Sequence, residues 1–170
     1  YNTINDIKYK IDKQHMLQKQ IAMKGSDVIA ATTTGVAMYL EIIAEAAPSV
    51  LFVEEAGQVL ETNICAALID SVEHLIMIGD HKQLRPHIEN HDLSVENKNT
   101  QHSLDLSMFE RLVTNGVEMR VLGFQHRQHP DLANLIRPAI YKHLKDAQGV
   151  NKRKPVPGFT PSCDRLFWWD

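Results

Sequence analysis

Ser49-Val50-Leu51-Phe52-Val53-Glu54-Glu55-Ala56-Gly57-Gln58 and Leu75-Ile76-Met77-Ile78-Gly79-Asp80-His81-Lys82-Gln83-Leu84-Arg85-Pro86 share one pattern. In each, a four-residue apolar run breaks abruptly into polar residues. The runs are too short for helices, are bounded by turn residues and lack polar alternation, so both are expected to be strands buried on two faces. Between them Leu60, Ile64, Leu68 and Ser71 recur at helical spacing, and Ala67 is small enough to pack closely on a sheet. A strand, a helix and a strand in this order form the crossover unit of a parallel sheet, almost always right-handed. The fold class is therefore α/β.

Ligands of open parallel sheets sit beyond the carboxyl ends of the strands. Those ends carry the acids Glu54 and Glu55 in one case and Asp80 in the other. Adjacent carboxylates repel and resist desolvation unless a cation or a reaction compensates them. A divalent ion carrying phosphates is the most economical compensation: one carboxylate holds magnesium through its water shell while its neighbour orients the water that attacks a terminal phosphate. From the second strand tip, Gln83 can touch that phosphate.

Upstream, Ile4, Ile7, Ile11, Leu17 and Ile21 fall near helical spacing with Lys8, Lys10, Lys13 and Lys19 among them, an amphipathic helix with a solvated lysine face that Lys24-Gly25-Ser26 ends. Asp27 to Ala31 reads as a strand. Its end, Thr32-Thr33-Thr34-Gly35, offers hydroxyls and amides that can bind phosphate oxygens, or can serve as a plain turn or helix cap. Val36 to Ala47 is expected as a helix stopped by Pro48. Downstream, residues 87–102 are polar and without period, hence a loop. Within it, His87-Ile88-Glu89-Asn90-His91 sets its glutamate one position too late for a zinc-protease helix. Leu104 to Val113 is expected as a helix, and Met119 to Leu122 is a further apolar run. That run ends in Gly123-Phe124-Gln125-His126-Arg127-Gln128-His129-Pro130. Leu132, Leu135, Ile136, Ile140 and Leu144 indicate a helix broken near Pro138, and Lys152-Arg153-Lys154-Pro155 opens a basic linker before a last apolar strand, Leu166 to Trp169.

Three of these strings together resemble superfamily 1 helicases, in the branch of the nonsense-mediated-decay helicase and the NFX-type zinc-finger helicase-like proteins. Val53 to Gln58 and Gly79 to Pro86 are similar to that family's second and third motifs. Gln125-His126-Arg127 before His129-Pro130 resembles its motif at the junction of two RecA-like domains. The resemblance implies a P-loop NTPase fold: an incomplete RecA-like parallel sheet with flanking helices over residues 1–122, then the start of a second RecA-like domain over 123–170. It implies ATP and Mg2+ as cofactors. It assigns Glu54 to the metal, Glu55 to the attacking water, Gln83 to sensing the phosphate and Arg127 to the arginine finger. Asp80, Gln125 and His126 would contact the nucleotide, and Thr32, Thr33, Thr34 and Arg85 the nucleic acid. Two positions depart from the pattern: Glu54 stands where most members carry aspartate, and His126 where close relatives carry tyrosine. Glu54, Glu55, Gln83 and Arg127 are expected to converge on one nucleotide-sized space.

The chain has 170 residues, 44% of them hydrophobic, enough for one domain or for one and part of another. A net charge of −3 means that a nucleic-acid partner must be met by a local basic track. Cys65 and Cys163 fit neither a disulfide framework nor a zinc spacing, and Cys65 is expected in the core. No leader is visible and no apolar run is long enough to span a bilayer, so the expected setting is cytoplasmic, with the nucleus as the alternative. A chain that opens at Tyr1 and stops after two tryptophans is expected to be a piece of something longer. No G-x-x-x-x-G-K-[S/T] phosphate loop occurs in it, and in the family that loop lies upstream of the threonines. The expectation is thus part of an ATP-dependent RNA or DNA helicase motor acting on single strands, with ribonucleoprotein partners. The alternative is a catalytically weak RNA-binding scaffold that keeps the fold.

Overall fold

The computed structural model describes residues 2–97 and 103–154, which belong to two compact units, Tyr1–Val117 and Glu118–Asp170. The strand expected over Leu166 to Trp169 and most of the basic linker lie outside the described residues.

In the first unit, helix α1 (Asn2–Lys24) ends where Gly25 N–H bonds to the Ile21 carbonyl at 3.2 Å. The lysine face is not wholly solvated: Lys19 Nζ lies 4.4 Å from the centroid of the Tyr39 ring and donates to its hydroxyl at 3.0 Å. Residues 27–31 pair with no strand among the described residues, and Val28 is 81% exposed, which corrects the expected strand. Apolar residues make an extended segment, but only a neighbour's hydrogen bonds make it a strand. The helix expected over Val36 to Ala47 is two, α2 (Thr33–Met38) and α3 (Leu40–Ala46), interrupted at Tyr39. The halves pack on different partners, α2 on the crossover helix and α3 on α1, so one straight axis cannot serve both. Ile42 and Ile43 bury themselves from α3, which ends at Ala47 in the left-handed region, φ 51°.

Strands β1 (Val50–Val53) and β2 (His74–Met77) are parallel, with Phe52 beside Ile76 and Val53 beside Met77. Between them runs helix α4 (Glu61–Ala67), whose Ile64 is fully buried. The strand-helix-strand unit is as expected; the burial is not. Phe52 is 52% and Ile76 46% exposed, because among the described residues this sheet has two strands, and solvent reaches side chains that a wider sheet would cover. Cys65 is exposed rather than in the core: Ile64 takes the inward position, and the next residue on a helix points about 100° away. Ser71 Oγ donates to the Pro48 carbonyl at 2.9 Å, tying the end of the crossover to the entry of β1.

Residues 87–97 form the expected loop, with one 3-10 turn, His91–Leu93, capped by Asn90. Helix α5 (Met108–Thr114) starts four residues later than expected. Ser107, wholly buried, caps it by accepting the Glu110 N–H at 3.1 Å. The preceding turn is occupied by buried Asp105, which accepts the Ser94 hydroxyl and the Val95 N–H, both at 2.7 Å.

In the second unit, Met119 to Leu122 pairs with no strand among the described residues, and Leu122 is 82% exposed. Strand β3 (Phe124–Gln125) follows and pairs in parallel with β4 (Lys145–Asp146), a strand without a sequence signal. Helix α6 (Pro130–Ile136) begins with Pro130 at its first turn, capped by His129, and stops just before Pro138, which lacks the N–H to continue it. Its Ala133 and, from the 3-10 turn Val150–Lys152, Val150 are buried.

Candidate functional site

The first unit brings two of the three sequence motifs together at the tips of β1 and β2. Ile78 N–H donates to the Val53 carbonyl at 2.9 Å, and Ala56 N–H donates to the Ile78 carbonyl at 2.8 Å. Two glycines permit the approach. A Cβ on Gly57 would stand 2.8 Å from the Asp80 carbonyl oxygen, and one on Gly79 would stand 2.7 Å from the Gly57 nitrogen. Ala56 between them is completely buried.

From this junction the acids project outward. Glu54 and Glu55 are exposed, and their carboxylates make no hydrogen bond or ion pair among the described residues. Glu55 sits at φ 51°, ψ 38°, the left-handed region that a residue with a Cβ occupies at a cost of about 1–2 kcal/mol. Strain of this kind gathers at functional sites. On the neighbouring tip Asp80 organises its own loop: Oδ1 accepts the Lys82 N–H at 3.0 Å and Oδ2 accepts Nε2 of Gln83 at 2.8 Å. Gln83 is thus exposed but oriented.

Behind the tips lies an ionic frame absent from the sequence reading. Arg85 makes a two-pronged pair with Glu110, Nε to Oε2 at 2.9 Å and Nη2 to Oε1 at 2.7 Å. Service of Arg85 to a nucleic-acid strand would require that pair to open. Arg111 makes a matching pair with Glu61, at 2.9 and 2.6 Å. The Arg111 hydrogen bonds hold Glu61 below the ordinary carboxylate value, against its partial burial. His81 lies with its ring centroid 6.4 Å from that of Phe109. The one available signal was a pair of opposite charges, Glu110-Arg111, inside an otherwise apolar helix.

Among the threonines, Thr32 Oγ1 accepts the Gly35 N–H at 3.1 Å as the cap of α2, and Thr33 and Thr34 form the exposed first turn. The cap uses a lone pair and leaves the Thr32 hydroxyl proton to donate.

In the second unit, Gln125 closes a loop on itself. Its Oε1 accepts the Arg127 and Gln128 N–H groups at 3.0 and 2.8 Å, and its Nε2 donates to the Gln128 carbonyl and to Asp146, both at 2.7 Å. Asp146 also receives Arg137 at 2.6 Å. The Gln125 hydrogen bond and Arg137 hold it below the ordinary aspartate value, against partial desolvation. The His126 carbonyl accepts from Arg153 at 2.7 Å. Arg127 is exposed, its guanidinium without a partner among the described residues.

A parallel α/β crossover with an exposed diacid beside a Gly-Asp loop defines the class: an incomplete RecA-like domain of the P-loop NTPase fold. Comparison with known proteins gives the family. The AAA domain family matches residues 2–91, just over half of the chain, and the chain belongs to it. NFX1-type zinc finger-containing protein 1 of Mus musculus is 40% identical over 136 residues, 80% of this chain and 7% of that protein. Helicase required for RNAi-mediated heterochromatin assembly 1 of Schizosaccharomyces pombe is 37% identical over 153 residues, 88% of this chain and 15% of that protein. Regulator of nonsense transcripts 1 of Caenorhabditis elegans is 26% identical over 140 residues, 80% of this chain and 12% of that protein. The chain is superfamily 1 helicase-like, and it spans a small fraction of the length of these relatives.

Proposed function

We propose that the chain supplies hydrolytic residues of an ATP-driven motor acting on single-stranded RNA or DNA, in the cytoplasm or nucleus and with ribonucleoprotein partners. The observation that carries this reading is the junction of the two strand tips, which puts an unpartnered diacid on one side and an oriented Gln83 on the other.

Glu55 takes up the proton of the attacking water and aims it at the terminal phosphate of ATP. Gln83 reads whether that phosphate is attached. Asp80 fixes the Gln83 amide by accepting its Nε2 hydrogen bond. Arg127 neutralises charge growing on the transferred group, and Gln125 holds the loop that carries it. Gln125 and His126 flank the nucleotide, and Thr32, Thr33 and Thr34 offer hydroxyls to the sugar-phosphate strand. Glu54 would hold Mg2+, which when bound neutralises phosphate charge. The donor set fits it, since magnesium uses one or two carboxylates with waters and substrate phosphates rather than an all-protein cage. No cluster of three metal-binding side chains occurs among the described residues.

The deciding experiment is Glu55→Gln in the full-length protein with Mg2+, ATP and either single-stranded RNA or DNA. Turnover is expected to fall by about 10²- to 10⁴-fold, with nucleotide affinity within about threefold. A scaffold would give no strand-stimulated turnover in the wild type and no response to the substitution, and that result would sink the proposal.

A further inference from the structure

Two consecutive residues of α5 hold two separate places, the end of the Gln83 loop and the first residue of α4, which follows the diacid loop. Glu110, with its side chain 13% exposed, holds Arg85 at the far end of the Asp80–Pro86 loop. Arg111 holds Glu61 at the start of α4, six residues after Glu55. The same helix packs against the 3-10 turn Ala56–Gln58 and against α4, and its Phe109 lies near His81. α5 is itself fixed at its start by the buried cap Ser107 and, one turn earlier, by buried Asp105. Both pairs are two-pronged, which constrains angle as well as distance, and neither can be replaced by lysine without losing a prong.

We propose that Glu110 and Arg111 are positioning residues. Together they make α5 a brace that sets the Gln83 loop and the diacid loop at a fixed separation. The Gly57–Gly79 contact joins the loops at the strand tips. The brace adds a second hold on each side: the Arg85–Glu110 pair on the Gln83 loop, and, for the diacid loop, packing on Ala56–Gln58 together with the Arg111–Glu61 pair to α4. Arg85 then serves the protein rather than a nucleic-acid strand. The functional consequence rests on the proposed hydrolytic role of the site; the mechanical one does not.

The test uses Arg85→Glu, Glu110→Arg, the double exchange of both charges, and the milder Glu110→Gln. Amide hydrogen exchange over residues 79–86 needs no nucleotide. Each charge reversal is expected to speed it by about tenfold, Glu110→Gln by about threefold, and the double exchange to restore it to within about threefold of wild type. In the full-length protein, the single reversals are expected to lower kcat for ATP by about tenfold with KM within about threefold, and the double exchange to rescue kcat. Unchanged exchange over 79–86 in the single variants would overturn the brace. So would failure of the double variant to rescue either readout while it keeps the wild-type melting temperature. A wild type that does not turn over ATP counts against the proposed function, and the exchange data then decide the brace alone. Normal turnover in the reversals beside an active wild type counts against the brace alone.

Discussion

A Cβ built on Gly79 would lie 2.7 Å from the backbone nitrogen of Gly57, closer than any relaxed packing allows. The two motif loops meet backbone to backbone, and only residues without side chains permit it. Backbone atoms have no rotamer with which to retreat. Gly79→Ala and Gly57→Ala are therefore each expected to destabilise the protein by about 1–3 kcal/mol. Thermal denaturation measures this, and a midpoint equal to wild type would show that the tips are looser than described.

Glu55 and Ala47 are the described non-glycine residues at positive φ, both at 51°. Replacing either with glycine relieves the clash of a Cβ in the left-handed region and is expected to stabilise by about 1 kcal/mol. The two should part company in function. Glu55→Gly should abolish turnover in the full-length protein, while Ala47→Gly should leave it unchanged. Loss of stability in both would mean that the strain is not there.

Asp105 is the buried carboxylate that organises the turn before α5. Burial acts to raise its pKa; the Ser94 hydroxyl, the Val95 amide and the charge of Arg85 together outweigh burial, and the net shift is downward. A group depressed in the folded state stabilises above its ordinary value of 3.8 and loses that contribution as pH falls below it toward the folded value. Asp105→Asn should cost about 2 kcal/mol at neutral pH and flatten the acid limb of the stability curve below about pH 4. Melting temperatures from pH 7 to 3 test this, and parallel curves for the two proteins would refute it.

In the second unit the Gln125 amide makes four hydrogen bonds that shape residues 125–128. Gln125→Ala should release that loop, at a cost of about 2–3 kcal/mol, and speed amide exchange at Arg127 and Gln128 by more than about tenfold. Exchange at wild-type rates would show that β3 and β4 hold the loop without it.

The parallel crossover was legible because it is written locally: two apolar runs, a helical period between them and a turn after each. The residue types near the tips were legible for the same reason, since Glu54 and Glu55 directly follow β1 and Asp80 and Gln83 lie within six residues of the end of β2. Residues 27–31 misled because an apolar run states what can be buried and not what will pair with it. Tyr39 misled because the break there follows from the neighbours of α2 and α3, which lie outside the local window. β4 carries no signal at all: Lys145 and Asp146 are strand residues because the Gly123 and Gln125 carbonyls accept the N–H groups of Lys145 and Ala147 beside them.

By itself, then, the sequence determined the element order around β1 and β2 and the residue types delivered to their ends, since hydrophobic period and turn chemistry act over a few neighbours. Only the tertiary structure decided which charges became a frame. Arg85 meets Glu110 across 25 positions and Arg111 meets Glu61 across 50. Any of the chain's acids and bases has the right charge for such a pair, and proximity in space, set by packing α5 against the strand tips, selects among them.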